Sequence, residues 1–309
     1  MVENFMDDLL KKLKMSRVND EYDFQLMEVV KRNDEHRKSL CIRKKGDAIG
    51  VNLYMDDLVR RFENAEYDME ALVEDIIEQL KTRVLSSGFT ELAVKKVMEL
   101  KDYDNVKDSI LFRLINLESN KEYLKNAVYA PYLDLAICFY IVVGEGNEVG
   151  TMQLTKDIFN SWGISVDELY EQAMENTSVL MPYVFRSMSE VLNSLIDEVD
   201  FSQYMNPPEY KDCGLWVLGN EKQIFGASAI LYKGIMRKVA EIMNVQDIVI
   251  LPSSVHECIL LPLPEDNNVS YLKEMVSEVN NSQVEPEDRL SYSVYKYSLK
   301  NDEISILTE

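Results

Sequence analysis

Tyr132-Leu133-Asp134-Leu135-Ala136-Ile137-Cys138-Phe139-Tyr140-Ile141-Val142-Val143 is dense in β-branched and aromatic side chains. Gly144-Glu145-Gly146-Asn147 follows as turn chemistry before a second β-favouring run, Val149 to Leu154. Residues of the first kind fit a pleated surface, and turn residues between two such runs predict a β-hairpin over 132–154. Its first strand has almost no polar side chain and is expected to be buried on both faces. Asp134 falls inside that strand, on the face of Ala136 and Cys138. A carboxylate there must be paired or hydrogen-bonded, which makes it either scaffolding or a tuned functional acid.

Upstream, the amino-terminal MVENFMDDLLKKLKM reads as a short amphipathic helix; its Glu3, Asp7 and Asp8 interrupt the apolar core that a secretory signal needs. Phe24 to Val30, Leu40 to Ile42 and Ile49 to Leu53 predict short antiparallel strands, with Lys44-Lys45-Gly46-Asp47 as a turn. Over 68–84, Leu72, Ile76, Leu80 and Val84 form one stripe, so this segment is a core-facing helix with an acidic side at Glu70, Glu74, Asp75 and Glu78. Ile110 to Leu117 is expected as a strand. Downstream of the hairpin, Thr155 can open a helix that stops near Gly163. Ser165-Val166-Asp167-Glu168 and Ser187-Met188-Ser189-Glu190 are capping boxes that open two more.

From about 207 the pattern becomes ββαββαββ. Strands are expected at Leu215–Leu218, Ile248–Leu251, Val255–Leu261, Tyr292–Tyr297 and Ile304–Leu307. Helices carry Leu231, Ile235, Val239 and Met243, then Val269, Leu272, Met275, Val276 and Val279. Hairpins segregated from helices predict an α+β fold, antiparallel or mixed β-sheets covered by helices. Pro207-Pro208 suggests a division into an α+β lobe over 1–206 and a ββαββαββ lobe over 207–309. Gly and Pro are scarce, 11 and 8 of the 309 residues, so the lobes are expected to pack together without a flexible linker.

With 33 Lys and Arg against 54 Asp and Glu, the net charge of −21 excludes a surface built broadly for phosphate, since nucleic-acid binding rests on basic side chains displacing counterions. The longest strongly apolar run after Asp134, Leu135 to Val143, falls well short of the roughly 20 residues of a membrane span. Cys41, Cys138, Cys213 and Cys258 form no C-x-x-C pair, which suggests reduced thiols and a cytoplasmic protein.

The chain holds two histidines, His36 and His256. His256-Glu257-Cys258-Ile259-Leu260 begins like the metalloprotease H-E-x-x-H, but Leu260 stands where the second ligand belongs. On a strand, Ser254, His256 and Cys258 would share a face, with neighbours about 7 Å apart, too far for a thiolate–imidazole dyad unless a turn intervenes. The two histidines lie 220 positions apart, the cysteines form no C-x-x-C pair and no G-x-x-x-x-G-K-[ST] loop is present, so neither a metal nor a cofactor is expected. The alternation of Tyr295 and Tyr297 is that of a half-buried strand before it is that of a base-stacking platform.

Three phrases of the carboxyl-terminal third, Ile224-Phe225-Gly226-Ala227-Ser228-Ala229-Ile230-Leu231-Tyr232, Ile250-Leu251-Pro252-Ser253-Ser254-Val255-His256-Glu257 and Val279-Asn280-Asn281-Ser282-Gln283-Val284-Glu285-Pro286-Glu287-Asp288, resemble an uncharacterised bacterial family, a domain of unknown function of gut Gram-positive bacteria often near mobile genetic elements. Leu133 to Ile137, Trp162-Gly163-Ile164, Glu175-Asn176-Thr177 and Arg186-Ser187-Met188 extend the resemblance over most of the chain. It implies no activity. It does single out polar positions: Asp134, Asn176, Thr177, Ser253, Ser254, His256, Glu257, Asn280 and Gln283.

The leading expectation is a cytoplasmic bacterial interaction or regulatory protein, possessing no standard catalytic motif and recognising a protein partner, with no direct nucleic-acid or membrane binding. The rival is an enzyme or small-molecule binder with a polar cleft built from Ser253, Ser254, His256 and Glu257 plus Asp134 or Asn176. A third reading is an acidic mimic of nucleic acid. The rival requires those groups to converge on one concave point.

Overall fold

A computed structural model describes residues 2–46, 50–63, 68–79, 95–145, 148–198, 214–252, 254–264 and 268–308. The chain gathers into two compact units, Met1–Val106 with Val142–Met152, and Lys107–Ile141 with Gln153–Glu309.

In the first unit the amphipathic opening run forms α1 (Val2–Met15), which buries Phe5, Met6, Leu9 and Leu13. An antiparallel meander follows, β1 (Tyr22–Val30), β2 (His36–Lys44) and β3 (Gly50–Tyr54), with Tyr22, Phe24, Leu40 and Ile42 in the same core. The helices α2 (Met55–Glu63) and α3 (Met69–Gln79) add Met55, Leu58, Leu72 and Ile76 to it. Leu80 and Val84 of the expected stripe, and Asp47 of the expected turn, lie outside the described residues. On the acidic side of α3, Glu70 is paired with Lys12 of α1.

The second unit contains β4 (Ile110–Asn116), β5 (Tyr129–Tyr132) and most of β6 (Leu135–Glu145), which run antiparallel in the order β4-β6-β5, with β7 (Glu148–Gln153) also pairing β6. Ile110 to Ile115 and Leu135 to Ile141 are buried throughout, which is why both runs look continuously apolar. Three helices follow. They are α4 (Lys156–Trp162), ended by Gly163 at φ +70°, α5 (Val166–Leu180) and α6 (Met188–Glu198). Ser165 Oγ accepts from Glu168 N, and Ser187 and Glu190 accept each other's backbone amides, so both capping serines work as the sequence implies.

A six-stranded antiparallel sheet completes this unit. In spatial order it runs β13 (Glu303–Ile306), β12 (Tyr295–Ser298), β10 (Asp247–Leu251), β11 (Cys258–Pro262), β9 (Trp216–Asn220) and β8 (Tyr183–Ser187). The helix α7 (Ile235–Met243) buries Met236, Val239 and Ala240, and α8 (Val269–Gln283) lays Val269, Leu272 and Val276 against Val249, Leu251, Val294 and Leu307. The fold is α+β, as expected. Among the described residues no helix is long and apolar enough to cross a membrane. Pro207 and Pro208 lie outside the described residues, and β8 and β9, on either side of them, pair in one sheet.

Several local expectations are corrected. Asp134 is not inside a strand: Tyr132 pairs with Leu135, so Leu133, at φ +55°, and Asp134 form the two-residue turn of a β5–β6 hairpin that apolar density concealed. Ser254 and His256 precede β11, which begins only at Cys258. Tyr292 stands outside β12, half-exposed, while Tyr295 and Tyr297 are buried. The helix expected from Leu231 begins at Ile235, because Gly234 at φ +74° separates it from a 3₁₀ turn, Gly226–Leu231.

The outer edge of β4 shows how polar side chains serve this fold. Among the described residues no strand pairs there, and α5 supplies the partners. Thr177 Oγ1 accepts from Phe112 N at 3.0 Å and donates to Ala173 O, while Asn176 Nδ2 donates to Lys107 O at 2.7 Å and Ile110 O at 2.8 Å. Two side chains thus stand in for a neighbouring strand and close the edge. Thr177→Val strips the buried Phe112 amide of its acceptor and is expected to cost about 1–3 kcal/mol in urea unfolding, with Thr177→Ser, which keeps the hydroxyl, losing less; a Thr177→Val loss smaller than that of Thr177→Ser would show that the methyl group and not the hydroxyl holds this edge.

Candidate functional site

The segment Pro252–Glu257 lies between the 3₁₀ turn Gly226–Leu231 and the segment Asp288–Ser291, and backbone bonds hold it to both. Ala227 N donates to Val255 O, Val255 N donates to Asp288 O at 2.8 Å, and Ser254 bridges Arg289. The His256 side chain repeats that linkage. Its Nδ1 accepts from Phe225 N at 3.4 Å, and its Nε2 faces Asp288 Oδ1 at 3.5 Å. A lone pair that receives an N–H places the ring proton on Nε2, directed at the carboxylate. Ser254 Oγ accepts from His256 N at 3.0 Å and donates to Glu257 Oε1 at 2.8 Å. Ser253 lies outside the described residues.

Gly226 makes this closeness possible. A Cβ there would stand 2.4 Å from His256 O and 2.6 Å from Asn220 N, so glycine is required by space. Phe225 is in the left-handed region at φ +54°, an uncommon conformation for an aromatic residue, and its amide is the one that His256 accepts. Asn220 holds the loop from the other end, donating to Ile224 O and accepting from Ile224 N.

The other candidates have partners of their own. Asp134 accepts from Ser291 Oγ and Tyr295 OH, both at 2.6 Å, and Ser291 also takes Asn280 Nδ2 on its carbonyl. Burial, then the Asp134 charge and its hydrogen bond, drive the Tyr295 hydroxyl far above the usual tyrosine range, so it stays a donor. Asn176 and Thr177 belong to the β4 edge. Gln283 is exposed at the end of α8. The structure therefore brings together Ser254, His256 and Glu257, with Asp134 fastened through Ser291, whose amide donates to Pro252 O. Asn176 serves a different element.

A second cluster adjoins the first through Phe225, whose ring stacks on His256 at 6.0 Å and 10° and meets the edge of Tyr140 at 5.5 Å. The Arg113 guanidinium stands 4.7 Å from the Phe225 centroid, 5.4 Å from Tyr140 and 5.9 Å from Tyr123. Arg113 is only 5% exposed; Nη2 donates to the Tyr123 hydroxyl, and Nε has no partner. Burial lifts Cys138, opposite Arg113 on β6, to about 12, and the guanidinium only partly offsets it. Cys258 is lifted by burial, with Glu257 adding to the rise. Neither thiol is a thiolate at neutral pH. Arg113 does have a sequence signal, as the one basic residue inside the apolar run 110–117, whereas Phe225 carries none that separates it from core.

These contacts limit the chemistry. A hydrolytic relay sets a Ser or Cys nucleophile against the imidazole nitrogen opposite the carboxylate. Here a backbone amide holds that place, and Ser254 Oγ is bonded between Glu257 and the His256 amide. Among the described residues no three His, Cys, Asp or Glu side chains group as metal ligands. A cleft of about 370 Å³ opens elsewhere in the second unit, lined in part by Tyr132, Leu133, Tyr232, Arg237, Tyr297 and Asp302, and it includes none of the candidate residues.

A family model, Family of unknown function (DUF5688), matches residues 2–299. No curated protein and no solved structure matches the chain. Two substitutions check the geometry. Gly226→Ala is expected to destabilise by about 1–3 kcal/mol or more through overpacking against backbone, read as the urea midpoint. Tyr295→Phe is expected to cost about 1.5–3 kcal/mol by removing a hydrogen bond to a carboxylate. Since the folded-state value of Tyr295 is raised above its unfolded one, the wild type should lose stability as pH climbs past the ordinary tyrosine value, and Tyr295→Phe should lose less over that window.

Proposed function

We propose that this chain, which belongs to the family of unknown function DUF5688, acts by binding without turnover, as an interaction or regulatory protein. The observation that carries this reading is the occupation of His256: Phe225 N–H on Nδ1, Asp288 facing Nε2, and Ser254 turned toward Glu257 and the backbone. Proton transfer by this imidazole would first require the 3₁₀ turn to detach. The polar residues of the resembling phrases fasten loops, leaving the outward surface to do the recognising. A cytoplasmic bacterial setting, and one near mobile elements, belongs to the same proposal; it is supported by the unpaired spacing of the cysteines and by the resemblance. A protein partner is the recognition class that suits a net charge of −21.

The competing enzyme reading makes the opposite forecast for one variant. If His256 is a fastener, His256→Ala leaves the Phe225 amide without its acceptor and lowers unfolding stability by about 1–3 kcal/mol. Thermal and urea unfolding of the full chain measure this. A catalytic His256 would instead give an unchanged unfolding midpoint together with loss of a hydrolytic activity.

A further inference from the structure

Arg113 is an electrostatic anomaly. Its residue is 5% exposed, its Nε is buried without a hydrogen-bond partner, and among the described residues its guanidinium makes no ion pair. The rest of the second unit is not short of such pairs, as Arg237 meets Asp302 at 2.9 Å on the surface. The chain has 54 acidic residues, yet none of the described ones pairs with this cation. A buried charge left unpaired costs several kcal/mol, and aromatic faces return up to about 2 kcal/mol or somewhat more when desolvated. A guanidinium has five N–H donors in a planar fork, and among the described residues the one side-chain acceptor it meets is the Tyr123 hydroxyl. A water molecule could accept from Nε but would not balance the charge. An oxyanion does both, and the fork matches a carboxylate or phosphate edge in geometry.

We propose that Arg113, enclosed by Tyr123, Tyr140 and Phe225, is the binding site for a small oxyanion, a carboxylate or phosphate group received on the free edge of the guanidinium. The aromatic rings exclude water and supply a shaped apolar wall, so a ligand bearing an apolar body next to its anionic group suits the site. Phe225 connects this interior to the surface, because its ring contacts both the Arg113 guanidinium and the His256 imidazole, whose side chain is 31% exposed. The inference goes beyond the preceding reading, since His256 could prove a fastener with Arg113 empty of any ligand, or the reverse.

The test uses the full chain. Thermal unfolding is followed with increasing sodium acetate or inorganic phosphate, at ionic strength held constant with chloride, for wild type, Arg113→Met and Arg113→Lys. The expected result is a rise in wild-type Tm that saturates with one or both oxyanions and is absent from Arg113→Met. Arg113→Met itself should have a ligand-free Tm equal to or above wild type, because an apolar side chain of similar length removes an uncompensated charge. Arg113→Lys, which keeps the charge but lacks the fork, should require at least about tenfold more oxyanion for the same shift. Saturation by acetate alone identifies a carboxylate ligand, and by phosphate alone a phosphate ligand. A wild-type Tm indifferent to both, or a shift of equal size in wild type and Arg113→Met, overturns the site. A ligand-free Arg113→Met that is markedly less stable overturns it as well, since Arg113 would then be a structural cation satisfied by its rings. An Arg113→Lys response undiminished from wild type also contradicts the proposal.

Discussion

Three irregular segments of the second unit, 220–231, 252–257 and 285–291, have to be held side by side where no regular ladder can do it, and the central one is fastened to both neighbours at once. Val255 does so through its backbone, accepting from Ala227 and donating to Asp288, and His256 does so through its imidazole, between Phe225 N–H and the Asp288 carboxylate. Each neutral hydrogen bond of this kind contributes only about 1 kcal/mol net, but leaving a buried amide unpaired costs more than making the bond gains. This asymmetry is why the segment has polar residues at fixed places. Gly226 follows from the same constraint, since the strap approaches so closely that a methyl group would strike the His256 carbonyl.

The same logic recurs wherever this unit runs out of strand. At the edge of β4, Asn176 and Thr177 take the carbonyls and amide that a further strand would have used. At the β5–β6 turn, Asp134 gathers two hydroxyls, one from Ser291 ahead of β12 and one from Tyr295, its first residue. Asn280, on α8, reaches the carbonyl of the same Ser291 whose hydroxyl Asp134 accepts. Arg113 departs from this pattern. Among the described residues its buried guanidinium makes no ion pair, and it stands among the rings of Tyr123, Tyr140 and Phe225, the last of which stacks on His256 of the 252–257 segment.

Legibility in the sequence followed the physics of each element. The strands β6 and β10, the helix-opening boxes at Ser165 and Ser187, and the α1 and α3 stripes were plain, because apolar runs, periodicity and cap chemistry are local signals, whereas the run of β4 fits neither a period of 2 nor of 3.6 cleanly. The β5–β6 turn was not, since Leu133 adopts a left-handed conformation with a residue type that seldom announces one, and the apolar run around it masked the break. The start of β11 was hidden for a related reason: Val255 is β-favouring by composition, but its amide is taken by Asp288 and not by a ladder. Of the candidate site residues, the resembling phrases marked Asp134, Asn176, Ser253, Ser254, His256 and Glu257 as polar groups that burial does not explain. They could not say which partner each would take, because the partners of the described ones lie from two to 161 positions away along the chain. Phe225 was unreadable for the same reason, as its role rests on a backbone amide and a ring face.

With two histidines in the chain, the claim that His256 fastens the strap can be read directly from its ring nitrogens. A long-range ¹H–¹⁵N spectrum of uniformly labelled protein at neutral pH, assigned by comparison with His36→Gln, reports which nitrogen of His256 carries the proton. The account predicts a single neutral tautomer protonated at Nε2, with Nδ1 showing the shift of a hydrogen-bonded acceptor. A ring protonated at Nδ1, or one exchanging freely between both tautomers, would mean that Phe225 N–H is not held there and that the account is wrong.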